Sequence, residues 1–271
     1  MKKKLYLLLI FILFNKFSSL IAKDLNSYHI ALIDISDDLR YLKWGIHPVD
    51  IRSKFNKEER PLEGAKLAIE ESKRFERISN TKFFFEHIRV KNHDEIYNLL
   101  ESDSIDVFDA ILFDIDFKNI LKMKSLLNKK IDKIFFNISD PNNDIRKKMC
   151  LKNFLNTYPS NTMLTDSIAQ YLVKKKWTKT LLLTGPTNED KNLSISFKNS
   201  AKKFGVKIIK EKFFVNSNDP RVRDKNDLSY LTKEKKYNNL FVSDIDGEFS
   251  LSIPNATVHP TLVSGASGLI P

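Results

Sequence analysis

Cysteine is almost absent. The single Cys150 in 271 residues excludes an intrachain disulfide and any zinc site built from several cysteines. Glycine is scarce, at seven residues, and no Gly-x-Gly-x-x-Gly occurs. Gly185-Pro186-Thr187-Asn188-Glu189-Asp190-Lys191 lacks the second glycine and the Gly-Lys-Ser/Thr ending of a phosphate loop. Gly265-Ala266-Ser267-Gly268-Leu269 has its last glycine one place too early for a nucleophile elbow. Asp140-x-Asn142-x-Asp144 starts like a calcium loop but has neither its glycine nor its closing glutamate. The five histidines show no ligand spacing. Asp114-Ile115-Asp116 stands between a strand and a helix, where capping explains it better than a metal. No catalytic residue, metal or cofactor is therefore expected. An enzyme on an α/β scaffold stays open as a third reading, which a nucleophile–base pair converging at the strand ends would favour.

Long apolar runs are also lacking, apart from one at the amino terminus. Lys2-Lys3-Lys4 precedes Leu5–Phe14, and a second apolar stretch ends at Ala22. A basic start, a short apolar core and a small-residue end predict an export signal over 1–22, too short to span a membrane comfortably. Export with one cysteine fits a periplasmic protein. The net charge of +11 comes with Lys, Asn, Ile and Phe in abundance, the signature of an AT-rich coding sequence. The lysine runs at 174–176 and 233–236 lack the interleaved aromatics of a nucleic-acid platform, so no nucleic acid is expected as a partner.

The remainder alternates. Ile30–Ile35, Lys82–Val90, Ala110–Phe113 and Ile134–Ile138 read as strands. Between them, helices are predicted over 61–77 (Leu62, Ala65, Ile69, Phe75), over 93–101, and around Ile120, Met123 and Leu127. Turn residues from Ser139 to Ser160 interrupt the pattern. A second alternation follows: a helix capped by Thr165 or Asp166, strand Thr180–Leu183, a helix from Leu193 to Phe204 closed by Gly205, and strands Val206–Val215, Leu240–Val242 and Thr261–Val263. The fold class is α/β with parallel sheets flanked by helices, in two lobes. The expected divisions are signal 1–22, first lobe 23–139, a connecting segment 140–160 and second lobe 161–263. Open α/β sheets bind ligands at the carboxyl ends of their strands. Here those ends are polar: Ser36-Asp37-Asp38, Asp114, Asn137–Ser139, Gly185–Thr187 and Asp244–Glu248. An interlobe cleft lined by them is the expected small-ligand site.

Several stretches carry a family resemblance. Tyr158-Pro159-Ser160, Thr165–Leu172, Trp177 and Leu181–Pro186 resemble type I periplasmic solute-binding proteins, the branched-chain amino-acid-binding class of ABC transporter receptors. Arg60–Ile69, Asp219-Pro220-Arg221, Asp246-Gly247-Glu248-Phe249 and Gly268–Pro271 look like the branch associated with PQQ-dependent alcohol dehydrogenase systems. The resemblance implies a two-lobed fold that closes on a small-molecule ligand and hands it to an inner-membrane ABC permease, as a monomer. The alternative is an accessory or sensor protein of alcohol oxidation that takes no part in transport. By the resemblance, the matching ligand positions are Asn137, Ser139, Tyr158, Ser160 and Asp246. Asp244 joins them as a strand end. The class also implies that 140–160 is the first interlobe crossover, that 264–271 starts a return crossover, and that a further segment finishes the first lobe. The chain stops where that return would begin, so apolar surface is expected on Phe113, Phe135 or nearby helices.

Overall fold

The computed structural model describes residues 26–36, 38, 60–215, 217, 219–234, 236–245, 247, 249, 250, 253 and 262–265. The predicted amino-terminal signal, Asp246 and the segment 266–271 lie outside them. The chain divides into two compact units, Met1–Ser139 with Cys150–Leu155, and Asp140–Met149 with Asn156–Pro271.

The first unit begins with β1 (Asn26–Ile35), followed by α1 (Arg60–Ser79), β2 (Thr81–Val90), α2 (His93–Glu101) and β3 (Ala110–Asp114). Two short helices, α3 (Phe117–Lys122) and α4 (Lys124–Lys129), then abut at Met123 before β4 (Ile134–Asn137). The helix marked by Ile120, Met123 and Leu127 is thus two pieces whose apolar stripe continues through the join. The sheet order is β2-β1-β3-β4-β5, where β5 is Phe154–Asn156. β1 runs parallel to both β2 and β3, and β3 parallel to β4. The segment read as a crossover therefore contains α5 (Ile145–Lys148) and a fifth strand. That strand lies beside β4, with the Phe135 amide donating to Asn153 O at 2.8 Å. Ala31, Leu32, Ile33, Ile111, Phe113 and Phe135 are fully buried. Phe113 and Phe135 stack at 5.7 Å, which corrects the expectation of exposed surface there. Both rings sit on inner strands of the sheet, β3 and β4, with β1 and β5 alongside. Exposed apolar residues do occur on a helix of this unit, α1, at Leu67, Phe75 and Ile78, which the same expectation allowed.

The second unit carries α6 (Asn161–Lys174), β6 (Lys179–Thr184), α7 (Asn188–Phe204), β7 (Lys207–Phe213), α8 (Leu228–Thr232), β8 (Asn239–Ser243) and β9 (Leu262–Gly265). Its sheet order is β7-β6-β8-β9, every pair parallel. Side chains alternate across the two faces of β6 and β8. Leu182 and Phe241 pack with Ala169, Leu172, Leu193, Phe197 and Ala201 from α6 and α7. Leu181, Leu183, Leu240 and Val242 pack on the other side with Phe214, Leu231, Phe249 and Ile253. Coverage of both faces explains why these strands read as unbroken apolar runs. α7 opens with a capping box, Thr187 with Asp190, and closes at Gly205 in the left-handed region (φ 78).

α6 starts earlier than Thr165 or Asp166. Its cap is Ser160, whose hydroxyl accepts from the Met163 amide at 3.3 Å. Thr165 is buried inside the helix, donating to Asn161 O at 2.8 Å and bonding the Ser200 hydroxyl at 2.9 Å. Asp166 accepts from Ser200 and Lys203. Both residues tie α6 to α7 and leave the helix start to Ser160. Among the described residues, no helix is long and apolar enough to cross a membrane.

Candidate functional site

In the first unit the carboxyl end of the sheet carries a polar row. Arg89 on β2, Asp34 on β1 and Asp114 on β3 stand at one register level. Asp34 and Asp114 are buried. The Arg89 guanidinium donates to both Asp34 oxygens, at 2.9 Å and 3.0 Å, and His87 Nε2 meets the same carboxylate at 2.9 Å. A buried carboxylate needs such partners, so this row is first of all a satisfied charge cluster. Asn137, one strand along, is buried, and its Oδ1 accepts weakly from the Ser139 amide at 3.4 Å. The structure thus brings Asn137 and Ser139 together in one strand-end turn.

In the second unit, Tyr158 and Ser160 flank the start of α6. Tyr158 is exposed, and its carbonyl accepts from Arg146 at 3.1 Å. Ser160 is buried and engaged as the helix cap. Asp244 is buried at the end of β8 and accepts from the Ser250 amide at 2.8 Å. Burial, with a further push from the charge of Asp190, holds its carboxyl above the usual carboxylate range, against the pull of the Ser250 bond. Asp246 lies outside the described residues.

Asp190 organises this end of the second unit and was not anticipated. Its carboxylate accepts from the Thr187 amide at 3.0 Å and the Ile245 amide at 2.7 Å, and its carbonyl accepts from the Ser243 hydroxyl at 2.5 Å. A Cβ on Gly185 would run into the same carboxylate. One side chain therefore joins the loop after β6 to the loop after β8. The signal for it was present as Thr187-x-x-Asp190, a capping-box spacing.

This chemistry suits holding a solute. It offers hydroxyl, amide and carboxyl groups at strand ends. Among the described residues, no group of three or more His, Cys, Asp or Glu could hold a metal ion. A small pocket in the first unit is lined by His93, Tyr97, Asn119 and Lys122 among others, and none of the predicted site residues borders it.

Solved structures of the same architecture match nearly the whole chain. A substrate-binding protein of an ABC transporter from Desulfitobacterium hafniense, in complex with Leu, superposes with a TM-score of 0.59 at 12% identity, over 89% of this chain and 66% of its own. The fold is that of the type I periplasmic binding proteins. Two further neighbours have TM-scores of 0.56 at 13% identity, each over 90% of this chain. One is a solute-binding protein from Rhodopseudomonas palustris BisB5 with 3,4-dihydroxybenzoic acid, covered over 62% of its length; the other is from R. palustris with benzoate, covered over 63%. The chain thus spans a little under two thirds of the length of these structures. No protein-family model and no curated protein matches the sequence.

Proposed function

We propose that this type I binding fold serves as the substrate-binding component of an ABC transporter, an exported, non-catalytic receptor that captures a small solute and presents it to a membrane permease. The supporting observation is the fold likeness over 89% of the chain to a substrate-binding protein of an ABC transporter. The polar strand ends in each unit agree with it. The basic and apolar amino terminus supports export to the periplasm. Asn137, Ser139, Tyr158, Ser160, Asp244 and Asp246 are the proposed ligand-binding set. Within it, Tyr158 is the clearest ligand contact, because its side chain is exposed while Ser160 is engaged in capping.

A thermal-shift screen against amino acids, aromatic carboxylates, alcohols and aldehydes tests this reading. A true ligand at 100 times its Kd adds about 2.7 kcal/mol of stability. Tyr158→Phe should then weaken binding by about tenfold or less, since one neutral hydrogen bond is worth roughly 0.5–1.5 kcal/mol. Cooperative unfolding that no compound in the panel shifts would count against a solute receptor. A second reading, an accessory or sensor role in PQQ-dependent alcohol oxidation, is supported by the Asp219-Pro220-Arg221 and Gly247–Phe249 stretches. Response to alcohols or aldehydes alone would favour it. Mass spectrometry of the protein isolated from its host checks export, and an intact Met1 on protein from the cytoplasm would refute it.

A further inference from the structure

The first sheet ends in a strand whose outer side meets no other strand among the described residues: β2 has β1 as its neighbour and is last in the order. It is long, at ten residues, and rich in phenylalanine. The amide of Phe83 donates to the Glu76 carboxylate at 3.1 Å instead of entering the ladder, so it faces outward. Backbone groups alternate along a strand, which puts the amides of Phe85 and His87 on the same outer edge. An edge of this length is a template for another strand. The chain also needs support here. β3 pairs with β1 only from Ile30 onward. His29 is held just before it by Asp109, whose amide donates to His29 O at 2.8 Å and whose carboxylate accepts from the His29 amide at 2.8 Å. Among the described residues, Asn26–Tyr28 and Thr81–Phe83 run on as a two-stranded ribbon. Such a ribbon is marginal alone, even with Tyr28 stacked on Phe83 at 6.0 Å and His29 on Phe84 at 4.7 Å.

The sequence of the edge is complementary to itself. Lys82, Phe84 and Glu86 project from one face, and all three are exposed. Setting a second copy antiparallel, with Phe84 against Phe84, places each Lys82 opposite the other chain's Glu86. The outward residues Phe83 and Phe85 then exchange hydrogen bonds, and the Lys82–Glu86 and Phe84–Phe84 pairs fall at the positions where side chains approach most closely. Lys82 already lies over the Phe84 ring, with Nζ 4.8 Å from its centre, so cation and aromatic share one patch. We propose that β2 is a self-association edge, joining two copies of this chain through an antiparallel β2–β2 ladder centred on Phe84. The monomer expected from the family resemblance would then be the dilute form. The Glu76 side chain covers one amide of the edge and must swing aside, which makes the dimer weak and concentration-dependent. The proposal is independent of the solute that the protein binds.

Sedimentation velocity on the full chain across a concentration series, with charge-reversal variants, tests it. Lys82→Glu or Glu86→Lys turns two symmetric attractions into two repulsions and should weaken the dimer by about tenfold or more. The double variant Lys82→Glu/Glu86→Lys restores the pairing in reverse and should recover the dimer to within about threefold. Phe85→Pro removes an outward amide and should abolish it. If a single reversal fails to fold, hydrogen exchange on the unaltered chain decides, because protection of the Phe85 amide should then rise with concentration. A monomer at every concentration, a dimer indifferent to both reversals, or Phe85 protection independent of concentration overturns the proposal. The last result would mean that the edge is taken up within the chain.

Discussion

Helices α1 and α7 invite comparison because the longer one buries less. α1 has twenty residues, and none of those with a described side chain is fully buried; Leu67, Phe75 and Ile78 are 57%, 63% and 83% exposed. α7 has seventeen and buries seven, among them Leu193, Phe197 and Ala201. Both carry a helical apolar stripe, so periodicity does not separate them. Both also carry small and hydroxylated residues, but Ser72 and Ser79 of α1 donate to carbonyls of their own helix, whereas the serines of α7 also bond to other elements. Ser194, Ser196 and Ser200 allow close approach and find partners: Ser194 at Thr184 and Glu211, Ser196 at Asn143, Ser200 at Thr165 and Asp166. A stripe makes a helix, but burial requires a partner surface shaped to receive it.

The sharpest way to break this comparison is to remove a ring from each helix. Phe197 stacks on Phe241 at 3.8 Å inside a closed core. Phe197→Ala should cost about 3–5 kcal/mol in urea unfolding. Phe75→Ala should stay within about 0.5 kcal/mol. Equal costs would mean that α1 is buried by something the described residues do not include. Next in size is Arg89→Leu, which strips the buried Asp34 of its charged partner. A loss of about 2 kcal/mol would show that the first unit rests on its strand-end cluster more than on α1. Thr187→Ala removes the α7 cap and should cost about 1 kcal/mol, read by the shift in thermal midpoint. By contrast Glu63→Ala, which breaks the exposed Glu63–Lys66 pair on α1, should be nearly silent.

A further effect concerns pH. The carboxyl of Asp244 has a higher pKa folded than unfolded, so the unfolded chain releases its proton first as pH rises. Stability from this group is therefore lost upward through the ordinary carboxylate range and is level above the folded pKa. Asp244→Asn should match the parent at the acid end and exceed it near neutrality. The reverse order would mean that the Ser250 bond outweighs burial.

Most of the alternation was legible because buried parallel strands announce themselves as apolar runs. Leu181–Leu183 and Leu240–Val242 are examples. β5 was not legible, since a three-residue strand flanked by turns carries no period, and the edge of β4 places it. The amino-terminal half of β1, Asn26–His29, was missed because its residues are polar or aromatic and its partner is a ribbon, not a core. For α1 the helix was read correctly from Phe75 among others, although that residue turned out to be exposed. Site residues were harder. Ser160 has the right chemistry for a ligand and uses it on a helix end, while Asp190 looked like part of a loop and ties two strand ends together. Sequence supplies the type of a polar group, but the direction of its lone pairs follows only from the assembled backbone.

Cys150 gives the protein one practical property. It is exposed, it is the sole thiol in the chain, and it sits where the backbone passes from Asp140–Met149 back to Cys150–Leu155. A maleimide dye will therefore attach at a single position without any engineered substitution, beside the passage between the units. Fluorescence or spin-label readings from that position give the proposed solute binding a direct test, in real time and without an engineered substitution.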